Sequence, residues 1–224
     1  MNRRRILKNG LFGAIGFPIV FPKTINKMAS IDLAGLLLQR YPGIRRNIKS
    51  SIWDELSEAD IRKQPVDMNS IAWNIWHMAR AEDVGMNRLV TDGQQVFDQS
   101  NWMQKLNIDI RHFGTGMTTE EVSLLSANID LEGLKNYHEA VGVQTMEVFE
   151  QLPELSLEEN LDKDYLHKVM IDEGVLHENA FWVEAFYQTK KRAWFLAHMG
   201  LTHSFEHLGQ IMVIRKLLGH KGTR

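Results

Sequence analysis

From Ser30 onward, apolar residues recur every three to four positions along most of the chain, the period of helices that bury one stripe. Residues 31–40 are leucine-rich, and Pro42 interrupts them and suits the first turn of a second helix running to about Leu56. Ser57, three residues before Asp60, reads as the cap of a short helical turn, and Pro65 breaks the chain. Asn69 or Ser70 is placed to cap a helix over about 71–90, which Thr91-Asp92-Gly93 ends. A long connection follows to about Ile129. It contains Gly114-Thr115-Gly116 and then Thr118-x-x-Glu121, a capping-box pattern that predicts a short helix over 119–127. Asp130 caps a third long helix over 131–152, stopped by Pro153. Residues 154–188 carry little pattern beyond a helical stretch over 176–188. A last helix runs over 190–218 with Gly219 at its C′ position. No alternation of useful length predicts a strand. The expected fold is all-α, an antiparallel four-helix bundle with long loop insertions. Connections as long as 91–129 are uncommon in compact domains and are often functional.

The last helix carries His203 and His207, four residues apart and therefore on one face, one turn from each other. Leu196, Gly200, Ile214 and Leu218 continue that face, so the pair falls in the stripe expected to point inward. Taken alone, this spacing is weak, because two histidines at this separation are more often polar residues with local partners. Burial changes the balance, since adjacent imidazoles in an apolar interior are costly unless hydrogen-bonded or bound to a metal. His77 is the third candidate. It sits in Trp73-Asn74-Ile75-Trp76-His77-Met78-Ala79-Arg80, on a helix apolar over most of its circumference. A lone buried histidine is more often a satisfied core residue, and His77 gains weight only through the pair.

The segment Ile71-Ala72-Trp73-Asn74-Ile75-Trp76-His77, with Ala79-Arg80-Ala81-Glu82-Asp83, resembles the second helix of the DinB-like metal-binding superfamily. Thr202-His203-x-x-Glu206-His207-Leu208-Gly209-Gln210, ending at Leu217-Leu218-Gly219, resembles its fourth. The order and spacing fit over roughly 31–219, more loosely over 91–190. The resemblance implies a divalent metal held by His77, His203 and His207. It also implies a metal-dependent enzyme of the kind that transfers small thiols, with metal-assisted hydrolysis as the close second. A small-molecule substrate of the thiol class is the implied partner, and a homodimer is compatible with such a bundle.

Three imidazoles leave coordination positions open, the pattern of catalytic rather than structural sites. A metal so held polarises a carbonyl, lowers the pKa of a bound water or holds a thiolate. Imidazole suits Zn, Ni, Cu and Fe alike, so the donor type does not select the metal. Gln210, Arg80 and Glu206 are the polar residues near the ligand stripes that could support the site or meet substrate. The plainer reading of Arg80 is an ion pair with Asp83 or Glu82, and that of Glu206 a solvated flank. His112, ahead of Phe113 in the long loop, is either a gate or a surface histidine. His198 is five residues from His203, about 140° away on an α-helix, so it is expected to stay out of the site. A pocket reaching the metal is expected to be lined partly by Trp102, Phe113 or Trp182. The rival function is a non-catalytic module in which the metal pins helices together or is simply carried.

Composition narrows the remaining choices. Apolar residues make up 44% and charged residues 24% of the chain, ordinary for one globular domain. There is no cysteine, so thiolate ligands and cysteine nucleophiles are excluded and any thiol belongs to a substrate. Arg3-Arg4-Arg5-Ile6-Leu7-Lys8 precedes an apolar run from Gly10 to Phe21, the layout of an export signal and similar to a twin-arginine leader. That run is short of the roughly 20 residues a membrane span needs. Residues 1–29 are therefore read as a leader and 30–224 as the bundle domain, exported and periplasmic, with no stable membrane span once the leader is removed. The leader holds six basic residues and no acid, which leaves 20 basic against 28 acidic residues, a formal charge of −8. An acidic domain is a poor partner for phosphate backbones, so nucleic-acid binding is not expected.

Overall fold

The structure, a computed structural model, describes residues 32–152 and 155–221. The expected export leader lies outside the described residues, as does Pro153. Among the described residues there is no strand, only an isolated bridge between Asn160 and Lys191. No described helix is long and apolar enough to cross a membrane.

The fold is all-α, built on four rods. The first is α1 (Leu33–Arg40) and α2 (Pro42–Ile48), continued by a π-helical turn over Lys49–Trp53. The second is α4 (Ile71–Asp83), which passes into a π-helical stretch over Val84–Val90, after the short α3 (Glu58–Arg62). Two short helices, α5 (Trp102–Lys105) and α6 (Thr119–Asn128), interrupt the long connection before the third rod, α7 (Leu131–Glu150). The less patterned stretch holds α8 (Lys163–His167) and α9 (Trp182–Tyr187). The last rod is α10 (Arg192–Ala197), a π-helical turn over His198–Thr202, and α11 (His203–Leu217). Contacts close the ring: α1 packs on α7, α7 on α4, α4 on α11, and α11 on α2.

The caps explain where the elements start. Ser70 Oγ accepts from Trp73 N (2.9 Å), settling the choice between Asn69 and Ser70. Thr118 and Glu121 form the expected capping box. Asp130 caps α7 through Gly133 N (2.6 Å), and Gly219 takes the positive φ of a helix-terminating residue. The predicted helix over 176–188 is shorter: a 3₁₀ turn over Glu178–Ala180 leads into α9. The short α5 and α8 are elements the periodicity does not predict, because a helix of one turn shows too few apolar positions to define a stripe.

All 13 residues of α4 are buried. An ion network secures its far end. Asp83 accepts from Val96 N (2.8 Å), Phe97 N (2.9 Å) and Tyr137 Oη (2.6 Å), and faces the guanidinium of Arg80. Beyond it, the π-helical stretches of the second and fourth rods meet through glycine. A Cβ on Gly85 would lie 2.3 Å from Met199 Cβ, and one on Gly200 would lie 2.9 Å from Met86 Sδ. At Gly85 only a residue without a side chain admits that approach.

Candidate metal centre

α4 and α11 run antiparallel, so Asn74 faces His207 and His77 faces His203. The side-chain nitrogens of His77, His203 and His207 lie within 4.8 Å of one another, a group able to hold a metal ion. His203 Nε2 is 3.1 Å from His77 Nε2 and 3.2 Å from His207 Nε2. Two ligands of a tetrahedral site with bonds of about 2.0–2.1 Å stand roughly 3.3 Å apart, so the spacing suits one small cation.

The protonation pattern strengthens the fit. His77 Nδ1 is hydrogen-bonded to the Phe113 carbonyl, which only accepts, so Nδ1 carries the proton and Nε2 a lone pair. Asn74 Nδ2 donates to Ser70 O (2.8 Å), which turns Asn74 Oδ1 toward His207 Nδ1 (2.9 Å) and fixes the same tautomer there. Two lone pairs therefore converge on His203 Nε2, which has at most one proton to offer. A cation satisfies all three. Burial, then the nearby His207, pushes His77 down to about 3. Burial, then His77 and His207, holds His203 far below the usual histidine range. His207 is lowered by burial, with the Gln210 side chain acting against it. All three rings are thus neutral near pH 7, the form that donates to a metal.

The surroundings divide into a locked side and an open side. Trp73 stacks on His77 at 4.6 Å between centroids, and the Phe113 ring stands edge-on at 6.1 Å. The Phe113 segment is itself pinned. Its N–H bonds Val175 O (3.1 Å), while Arg80 Nη2 donates to Arg111 O (2.7 Å). On the other side His203 and His207 are half-buried, and Thr202, Glu206 and Gln210 are exposed.

The sequence candidates therefore fall into different places. Arg80 is fully buried, and its donors go to Asp83, Gln95, Tyr137 and the Arg111 carbonyl, so it supports the His77 backstop from behind rather than facing solvent. Gln210 lies against His207, and Glu206 is an exposed neighbour of the pair. Asn74 is a residue the spacing argument passed over; its signal was a buried amide one turn before His77 on a helix with no exposed face.

His198 departs from expectation. The turn over His198–Thr202 is π-helical, with His203 N bonded to His198 O. Bonding from i to i+5 brings residues five apart into register, so the 140° offset of an α-helix does not apply. The His198 ring comes to 5.3 Å from that of His203, stacked on Trp194 at 4.5 Å. The expected pocket also differs. Phe113 is at the site, but Trp182 is 64% exposed, and the cavities that Trp102 lines include none of the three histidines.

An all-α bundle that gathers three neutral histidines from its second and fourth rods defines a class of metal-binding helical protein. A family model described as the DinB superfamily matches residues 45–211, well over half of the chain and spanning all three histidines, and the chain belongs to that family. No curated protein matches it.

Proposed function

We propose that this protein is a divalent-metal-dependent enzyme that activates a small thiol for transfer to an electrophile. The convergence of three neutral imidazole nitrogens, with two tautomers fixed by the Phe113 carbonyl and by Asn74, carries this reading. His77, His203 and His207 are the residues that would hold the cation, and zinc, nickel and iron all suit them. When bound, the cation supplies Lewis acidity that lowers the pKa of a thiol or water at its open positions.

The chain's own residues set the rest. Phe113 and Trp73 keep His77 from turning, so its lone pair stays on the site without a reorganisation cost. The substrate approaches over the exposed side of α11, where Glu206 and Gln210 flank the ligand pair. The thiol loses its proton, its sulfur forms a bond to the electrophilic carbon, and the leaving group departs with its electron pair. Metal-assisted hydrolysis uses the same side with water in place of the thiol.

A non-catalytic metal-holding module is the second reading. The prominent cavities of the described residues, none of which includes the three histidines, favour it. A cobalt-substituted protein separates the two. Enzymatic thiol activation predicts a sulfur-to-cobalt charge-transfer band on adding a small thiol, lost in His207→Ala. No band with any thiol, together with a fourth protein ligand on the cobalt, would favour the module. We also propose export through residues 1–29, supported by the basic block ahead of an apolar run. Unchanged periplasmic recovery of an Arg4→Lys, Arg5→Lys double variant would reject the twin-arginine route.

A further inference from the structure

A prominent cavity of the described residues, with none of the three histidines in its lining, lies between the 103–112 part of the long connection and α6. It is a cleft of about 790 Å³, within the range of roughly 300–1,000 Å³ that accommodates small ligands. Its apolar lining is Met103, Ile108, Ile110, Met117, Leu124 and Leu125. Leu124, on its apolar side, is 65% exposed and so open to a ligand from solvent.

The polar lining has one sign of charge. Asp109 and Glu121 contribute carboxylates, and no lysine or arginine of the described residues lines the cleft. The flanking cations are engaged elsewhere: Arg111 pairs with Asp98 (2.5 Å), and Lys105 donates to Ser100 Oγ (2.7 Å) and sits over the Trp102 ring. Asp109 has no hydrogen bond or ion pair among the described residues and stands exposed at the edge of the cleft.

A fixed histidine pair stands behind Glu121. His177 Nδ1 accepts from Asn179 N (3.1 Å), so its Nε2 carries the proton and donates to Glu121 Oε1 (3.2 Å). His112 Nδ1 accepts from Gly114 N (3.2 Å), which places its proton on Nε2, an N–H with no partner among the described residues. Burial and the adjacent His177 push His112 down to about 4, so the ring adds no positive charge near neutrality. The wall is thus an apolar bed beside the free Asp109 carboxylate, the Glu121 carboxylate held by Thr118 N and His177 Nε2, the amides of Gln104, Asn107 and Asn128, and one free N–H donor.

We infer that this cleft is a second ligand site, distinct from the metal centre, and that it takes an amphipathic cation: an apolar chain or ring carrying a protonated amine. The chain covers Leu124, Leu125 and Met117, and the ammonium faces Asp109 and Glu121. Trp73 reports occupancy, because its Nε1 bonds Met117 Sδ (3.3 Å) in the cleft wall.

The test is calorimetric titration of the full chain at low ionic strength with octylamine, octanol and octanoate, monitored in parallel by tryptophan fluorescence. The inference predicts saturable binding of octylamine, at least about tenfold tighter than octanol, and no binding of octanoate. Leu124→Lys places a cation at the mouth of the cleft from an exposed position, and should weaken octylamine at least about tenfold. Val143→Lys, exposed on α7, should leave binding unchanged. His207→Ala should also leave it unchanged, since no metal-site histidine lines the cleft. Equal affinity for octylamine and octanol, or a preference for octanoate, would overturn the ligand class. Absence of saturable octylamine binding, insensitivity to Leu124→Lys, or loss in His207→Ala would overturn the site.

Discussion

α4 and α11 supply the same chemistry to one site from opposite surroundings. α4 buries all 13 of its residues, whereas α11 buries five of 15. His77 therefore comes with a complete supporting shell: a backbone carbonyl, a stacked indole, and an arginine holding the carbonyl's own segment. His203 and His207 come with fewer supports, and His203 Nδ1 has no partner among the described residues. Under the proposed function, one fixed ligand and two at the solvent edge would hold a cation in place while leaving a side for substrate. The difference also predicts unequal responses to mutation.

The largest effect belongs at the buried end of α4. Asp83→Ala removes the partner of a fully buried Arg80 and the acceptor of two backbone N–H groups. Breaking such a pair costs about 3–5 kcal/mol. Chemical denaturation should show a loss of that order, with no residue of the metal cluster touched.

A smaller loss, specific to metal, is expected from Asn74→Ala. It leaves His207 Nδ1 without its acceptor, and a lost ligand-orienting bond typically costs 10–100-fold in affinity. Metal titration against a competing chelator should show the loss, while Asn74→Asp, which keeps an acceptor, should recover most of it.

The pH dependence of the metal-free protein comes next. Burial, then Arg45, holds His138 well below the usual range, and its Nδ1 is buried without a partner. The folded state keeps this ring neutral while the unfolded chain takes up a proton near pH 6.5. Stability is therefore full above that pH and falls as pH drops below it, by up to about 1.4 kcal/mol per pH unit for this one group. His138→Phe should make the fall in melting temperature between pH 7 and 5 shallower, leaving the share that the other lowered histidines contribute. An unchanged slope would show that His138 is protonated in the fold.

The smallest effect belongs to the outer face of α11. Val213 is 52% exposed, and Val213→Ser should change stability by no more than about 0.5 kcal/mol. A loss matching that of an α4 substitution would erase the contrast between the two helices.

The rods, their caps and the three histidines were legible because each rests on a local pattern: Ser70, Thr118 and Asp130 before apolar stripes, and His203 and His207 one turn apart. What was not legible depends on contacts far along the chain. Phe113 reaches His77 across 36 residues, and nothing in its own neighbourhood marks its carbonyl as an acceptor. His198 was misplaced because a π-turn over His198–Thr202 changes the helical period, and no local pattern in the sequence marks that turn. The role of Arg80 was half legible. The ion pair with Asp83 follows from their spacing, but the bond to Arg111 O requires the folded loop.

The central claim is that His77, His203 and His207 together hold one divalent cation and leave a position open. X-ray absorption on the purified, metal-loaded protein counts its light ligands directly. The account predicts one ion per chain with three imidazole nitrogens at about 2.0–2.1 Å and at least one exchangeable ligand, falling to two imidazoles in His207→Ala. An ion whose coordination is unchanged by His77→Ala, His203→Ala and His207→Ala alike, or a wild-type chain that binds none, would contradict it.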